Sequence, residues 1–522
     1  MRPPVRFLIA AIGVVAGLAT PAHSAPAEHV LRLAYAADPV SLDPQEQLSE
    51  GTLQLAHMVF DPLVRWTRDH GFEPRLAERW EQVSPTMLRL HLRTGVRFHS
   101  GNPFTAADVV FTFERLRSSP DFKALFAPFA SMRAVDAHQI ELVSHQPNPL
   151  ALNLLTYLFP MDSAFYQGTD DKGRDRATII KHGDSFASRN ASGTGPFRVL
   201  ERQQGVRVEF ERFSEYWDIR SPGNLDRIVL TPIKEDPTRV AALLSGDIDA
   251  IHPVPPADLA RLRRREDARV VTLTGTRIIT LQLNSQQVPA FADPRVRQAV
   301  VLAINNQGIA DKLMRGFATA AGQLSPPGYP GHDPALTPRY DPSRAKALMK
   351  EAGYKDGFRV SMLTPNNRYV YDEKIAQAVV SMLARIGIQV DLRTLPKAQY
   401  WPEYDRRAAD ILMIGWHADT EDSANFFEFL LMTPDRNAGF GQYNAAGYSN
   451  ANLDALVREA STELRPGIRA QLLQRAERLV YEQAAIVPLH WQHIAWAVRP
   501  QVQIEPVLNV MNFPHLGDLV VQ

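Results

Sequence analysis

No cysteine occurs among the 522 residues. That excludes disulfides, thiolate metal sites and thiol nucleophiles, and it removes the residue that a bacterial lipoprotein anchor requires. Charge of one sign is equally lacking, since 57 Lys and Arg stand against 57 Asp and Glu. The densest basic tract, Arg261-Leu262-Arg263-Arg264-Arg265, runs straight into Glu266-Asp267. It reads as a solvated helix end, and no nucleic-acid partner is expected. After the first apolar run no stretch approaches the length of a membrane span. H-E-x-x-H, G-x-S-x-G and a Walker-type phosphate loop are all missing, so nothing assembles a nucleophile with its base or a metal triad. The chain is expected to bind rather than catalyse. There is no internal repeat and no low-complexity tract.

What is present begins with a targeting pattern. Arg2 and Arg6 precede an apolar core, Phe7 to Leu18, of signal-peptide length. Small residues follow, and cleavage is expected near Ala25. Loss of this segment leaves a slight acidic excess. The expected product is exported, cleaved from its leader, without a membrane anchor, periplasmic and monomeric.

Apolar content of 45% and charged content of 22% are those of a globular protein, and the length suits several domains. The pattern predicts strands over His29–Ala36, Arg227–Leu230, Leu281–Asn284 and Ile388–Leu392, with Val206–Glu211 alternating after a hairpin opened at Gly193–Phe197. It predicts a second hairpin in which Leu88–Arg93 and Val96–Phe98 pair around Thr94-Gly95. Helices are predicted over Gly51–Phe60, after Thr105 with Asp108 completing a capping box, over Arg239–Leu244, and after the Asp-Pro starts at Asp293 and Asp341. Ile375, Val379, Met382 and Ile386 line one face of a further helix that Gly387 ends. Residues 118–195 read as loop-rich, and a break is expected near 275. Strand–helix–strand units in tandem indicate an α/β fold.

The stretch Ala409 to Asp422 carries the most chemistry. Ile411 to Ile414 reads as a buried strand ended by Gly415. Trp416 and His417 follow, and then three carboxylates, Asp419, Glu421 and Asp422. An aromatic wall beside carboxylates suits a cationic group: the acid pairs with an ammonium and the indole excludes water. Trp401, Trp491 and Trp496 are further aromatics, by default core. His490, His493 and His515 are the histidines from which a His-only metal site would have to be drawn; no metal and no cofactor are expected.

Several dispersed segments together resemble one family, the extracytoplasmic solute-binding proteins of ABC importers, in the dipeptide/oligopeptide/nickel-binding class (family 5). They are Leu42-Asp43-Pro44; Phe60-Asp61-Pro62-Leu63-Val64; Pro74 to Trp80; Leu92 to Val109, with its Phe98-His99-Ser100-Gly101-Asn102-Pro103-Phe104; Gly193-Thr194-Gly195-Pro196-Phe197; Gly246-Asp247-Ile248-Asp249; Asp293 to Ala299; and Tyr448-Ser449-Asn450 with Leu453-Asp454. The resemblance implies a two-lobed periplasmic-binding-protein fold (type II, cluster C) with an extra inserted subdomain. Lobe one would hold 28–57, 192–272 and 484–522, the inserted β-rich subdomain 58–191, and lobe two 273–483. It implies a short peptide or peptide-like ligand and an inner-membrane ABC permease as partners. It also implies roles. Asp419, three residues after Trp416, matches the acid that pairs with a peptide ammonium, and Arg368 matches the arginine that takes the peptide carboxylate. Tyr369, Trp416 and His417 are candidate neighbours in the same site. The chain departs from dipeptide binders at Thr420-Glu421-Asp422-Ser423, which lacks their proline, and at Tyr369, where they insert one. Nickel- and haem-binding relatives make a metal complex the alternative ligand.

Overall fold

A computed structural model describes residues 28–39, 41–181, 184–366, 368–435, 439–509 and 511–522, with residues 397 and 398 described by backbone alone. The targeting segment lies outside the described residues. Among the described residues no helix is long and apolar enough to cross a membrane.

One mixed sheet of eleven strands dominates. Its order runs Ile388–Leu395, Phe358–Pro365, Ile411–Trp416, Arg269–Leu283, Val487–Val498, Ala250–His252, Val30–Tyr35, Arg227–Pro232, Arg207–Arg212 and Phe197–Gln203, and Ala318–Ala320 adds to Val487–Val498. Each half of the sheet holds a parallel pair: Val30–Tyr35 on Arg227–Pro232, and Phe358–Pro365 on Ile388–Leu395. The middle is held by two long antiparallel strands, Arg269–Leu283 and Val487–Val498, which pair from Arg269↔Val498 to Leu281↔Val487. Their register shifts between Thr274 and Ile278, at the break expected near 275. A bulge bends a strand and leaves residues unpaired. Gly275 is required at this bend: a Cβ there would sit 2.4 Å from the Gln492 carbonyl oxygen of the facing strand.

A separate four-stranded antiparallel sheet, in the order Ala77–Ser84, Met87–Leu92, Gln139–Ser144, Phe129–Asp136, lies within the segment expected to be inserted. This corrects the predicted second hairpin. Met87–Leu92 pairs with Ala77–Ser84 and Gln139–Ser144, whereas Val96–Phe98 forms no strand and Arg97 only bridges Pro103. It also fills part of the stretch read as loop.

The helix starts follow their caps. Asp293 accepts from the Arg295 N–H (2.8 Å) and Asp341 from the Arg344 N–H (2.8 Å). Asp108 accepts from the Thr105 N–H (2.8 Å) at the head of Ala106–Ser118.

Three cores result. One joins Leu31 and Leu33 to the helix Glu50–Val59, to Leu90 and Ile140 of the smaller sheet, and to the C-terminal Leu516 and Leu519. The other two share the strand Ile411–Trp416. Ile411 and Met413 face Val300, Ile375 and Val379, while Leu412 and Ile414 face Phe426, Leu453 and Leu473. Successive side chains of a strand point to opposite faces, so a continuous apolar run is what a strand covered on both sides demands.

Candidate functional site

The strand Ile411–Trp416 ends opposite the bulge, since Trp416 pairs with Ile278. The chain beyond Trp416 and the bulged residues Gly275, Thr276 and Arg277 therefore emerge side by side. They wall a cavity of about 600 Å³. Leu48, Glu50 and Tyr157 close it from the other side, with Met511, Asn512 and Phe513 from the C-terminal segment. The volume is that of a small-molecule site.

Four of the five expected site residues, Arg368, Trp416, His417 and Asp419, line this cavity. Tyr369 does not. It is 6% exposed and lies behind the wall, its hydroxyl donating to the Gly415 carbonyl oxygen (3.3 Å). Gly415 has no room for a side chain, because a Cβ would lie 2.6 Å from both Tyr369 Cε1 and Ile279 Cδ1. Tyr369 also underlies Arg368, whose guanidinium sits 5.1 Å from its ring centroid. The turn bearing both residues is tied by Asp372 at the start of the helix Asp372–Ala384, which accepts from the N–H groups of Arg368 (2.9 Å) and Tyr369 (3.0 Å).

The three carboxylates after Trp416 have three different jobs. Asp422 faces away from the cavity. It caps the helix Ser423–Leu430 by accepting from the Ala424 N–H and takes a two-pronged ion pair from buried Arg469, at 2.5 and 2.7 Å. Glu421 is buried beneath the cavity, accepting from the Tyr329 hydroxyl, with His417 Nε2 3.5 Å away. Burial pushes its carboxyl up to about 8, the Tyr329 bond opposing and Asp419 adding to the rise. Asp419 alone reaches the cavity, and burial raises it to about 6 against the pull of Arg277. Among the described residues no hydrogen bond or ion pair engages the Asp419 carboxylate.

Trp416 is fixed by its Nε1 donating to Asn425 Oδ1 (2.8 Å) and by stacking on Phe429 at 5.3 Å. Burial, and then Arg277, lower His417 to about 4, so its imidazole is neutral near pH 7. Of the other tryptophans, Trp401 lines the cavity, whereas Trp491 and Trp496 are core, donating to the Leu324 carbonyl oxygen and to Asn512 Oδ1. His493 lines the cavity, His490 is buried away from it, and His515 is partly buried outside its lining. Among the described residues no group of three or more His, Asp or Glu is placed to hold a metal ion.

Arg277 and Glu50 were not anticipated. Burial raises Glu50, but hydrogen bonds with His252 and Asn512 hold it at about 2. Arg277 is pulled below the usual arginine range by burial and by the neighbouring Arg368 guanidinium. Its signal was a cation inside an otherwise apolar and Thr-rich strand, two residues after a glycine.

Comparison with known proteins agrees with this arrangement. The model of the family "Bacterial extracellular solute-binding proteins, family 5 Middle" matches residues 71–437. The chain belongs to this family. Among its curated relatives are heme-binding protein A of Haemophilus influenzae, 28% identical over 84% of this chain and 83% of that one, and the dipeptide-binding protein of Escherichia coli K12, 26% identical over 82% and 83%. Among solved structures, HbpA2 from Haemophilus parasuis superposes with a TM-score of 0.83 at 22% identity, covering 94% of this chain and all of that one. The two-lobed family 5 fold is thereby established for this family 5 protein.

Proposed function

We propose that this family 5 protein captures short peptides or peptide-like solutes in the periplasm and delivers them to an inner-membrane ABC permease, acting as a monomer without turnover. The observation that carries the reading is the presence, in one cavity, of a carboxylate, Asp419, and a guanidinium, Arg368, neither of which has a salt-bridge partner among the described residues. A free peptide offers an ammonium and a carboxylate to match. A guanidinium grips a carboxylate through two parallel hydrogen bonds, and a water-poor cleft strengthens both contacts. Fixing the two backbone ends selects a peptide without reading its side chains. Trp416 and Trp401 supply the apolar wall, and neutral His417 leaves the ammonium end to Asp419. The named binding of a dipeptide by a relative points the same way.

The lobes are taken as 28–57 with 192–272 and 484–522, and 273–483, with 58–191 inserted. The smaller sheet's position within 77–144 and the passage of the Arg269–Leu283 strand through the break near 275 support these limits. Ligand then favours closure only through its higher affinity for the closed form.

Native mass spectrometry of the protein purified without refolding, before and after denaturing release, tests the reading. A set of released masses matching di- to pentapeptides is expected. A single porphyrin or metal-complex mass would overturn it in favour of the kind of ligand named for heme-binding protein A.

A further inference from the structure

Beyond the ends of a peptide, the cavity holds a cation with no assigned partner. Arg277 projects from the bulge between Thr274 and Ile278. Among the described residues no carboxylate lies within ion-pair distance of it and no hydrogen bond engages its guanidinium. The acids that attract it are Glu50 and Asp419. Glu50 is already held by His252 at 3.2 Å and by Asn512. Arg368 is in the same condition, its Nε buried without a partner. Two like charges thus share one wall, and burial disfavours the charge of Arg277. Such a pair is unfavourable unless something anionic is bound there.

Position separates the two. Arg368 lines the 600 Å³ cavity, whereas Arg277 lines both it and a second cavity of about 440 Å³ that opens toward Tyr35, Val254 and Phe317. Glu50, Gln492 and Asn512 line both as well, so the two cavities adjoin at Arg277. A solute held by its carboxylate at Arg368 and its ammonium at Asp419 can send a further group to this junction.

We propose that Arg277 is a specificity residue that binds a second carboxylate, so that the solute class is peptide-like with one free amine and two carboxylates. The proposal rests on the peptide reading above. A guanidinium suits the role because its planar fork grips a carboxylate at two points and keeps its charge when partly desolvated. The bulge suits it because an extra residue in the strand re-aims the side chain out of the sheet.

Calorimetry with matched acid and amide dipeptides tests it, using Ala-Glu against Ala-Gln and Glu-Ala against Gln-Ala. Each pair differs by one charge at nearly constant shape. The wild-type protein should bind the acid at least ten-fold tighter in one pair or both, with the ratio shrinking as salt is raised. Arg277→Gln should bring the ratio within three-fold of unity, and Arg277→Lys should restore part of it. Equal affinities in both wild-type pairs would overturn the proposal while leaving the peptide reading intact. So would a ratio that survives in Arg277→Gln, and the wild-type ratio stands as a test even if that variant misfolds. If none of the four peptides binds, the peptide reading fails and the proposal with it.

Discussion

Asp419, Glu421 and Asp422 show how neighbouring residues of one chemical type separate once folded. The sequence presents three acids beside an aromatic, and a cation site follows from that pattern. Their division does not, because it depends on Arg469 forty-seven positions away and on Tyr329 ninety-two away. Glu421 has a measurable consequence. Its folded value of about 8 lies above the 4.5 of an ordinary glutamate, so between these the folded chain binds more protons than the unfolded one and stability falls as pH rises. Glu477, raised to about 7 by burial, acts in the same sense. His57, His417 and His490, lowered by desolvation to about 3, 4 and 3, act oppositely, and their contribution is lost as pH falls below 6.5. The window from 6.5 to 8 therefore belongs to the two glutamates. In differential scanning fluorimetry of peptide-free protein, Glu421→Gln should melt higher than wild type at pH 8 by on the order of 2 °C, and this gain should shrink toward pH 6.5. Parallel curves for the two proteins would contradict the assignment.

Among elements, those with a local signal were legible and those defined by distant pairing were not. Asp293-Pro294, Asp341-Pro342 and Gly387 mark helix ends by themselves, and the structure places ends there. Ala77–Ser84 escaped notice because only Ala77 of its eight residues is buried, so it carries no apolar alternation. Without it, Met87–Leu92 looked like half of a hairpin with Val96–Phe98. The full length of Arg269–Leu283 was hidden because Thr272, Thr274 and Thr276 interrupt its apolar run. The bulge within it places Arg277 at the cavity. The loop after Trp416 is gripped by another element: the Tyr157 hydroxyl donates to the Asp419 carbonyl oxygen (2.7 Å) and Asn153 Nδ2 to that of Thr420 (2.7 Å). These bonds join the expected inserted segment to the cavity-lining loop, and they hold only while the two parts are apposed. Tyr157→Phe removes one donor. Peptide binding should weaken by about 1 kcal/mol, roughly five-fold, as read by calorimetry. An unchanged dissociation constant would mean that this contact takes no part in closure.

For the whole molecule, the family was legible from short segments scattered from Leu42 to Asp454, each weak alone and cumulative in order. The cavity was only half legible. Asp419 and Arg368 were expected in the site and line the cavity, while Glu50, Tyr157, Arg277 and Asn512 come from four other parts of the chain and meet only when the long sheet forms. The central claim is that a carboxylate and a guanidinium in that cavity read the two ends of a peptide. Titration calorimetry of the wild-type protein and Asp419→Asn with Ala-Ala and N-acetyl-Ala-Ala tests it most directly. The account predicts that wild type binds the free amine more tightly by at least about 1.5 kcal/mol, the order of one charge-assisted hydrogen bond, and that Asp419→Asn erases most of the difference. Equal binding of the free and acetylated peptides by wild type would contradict it.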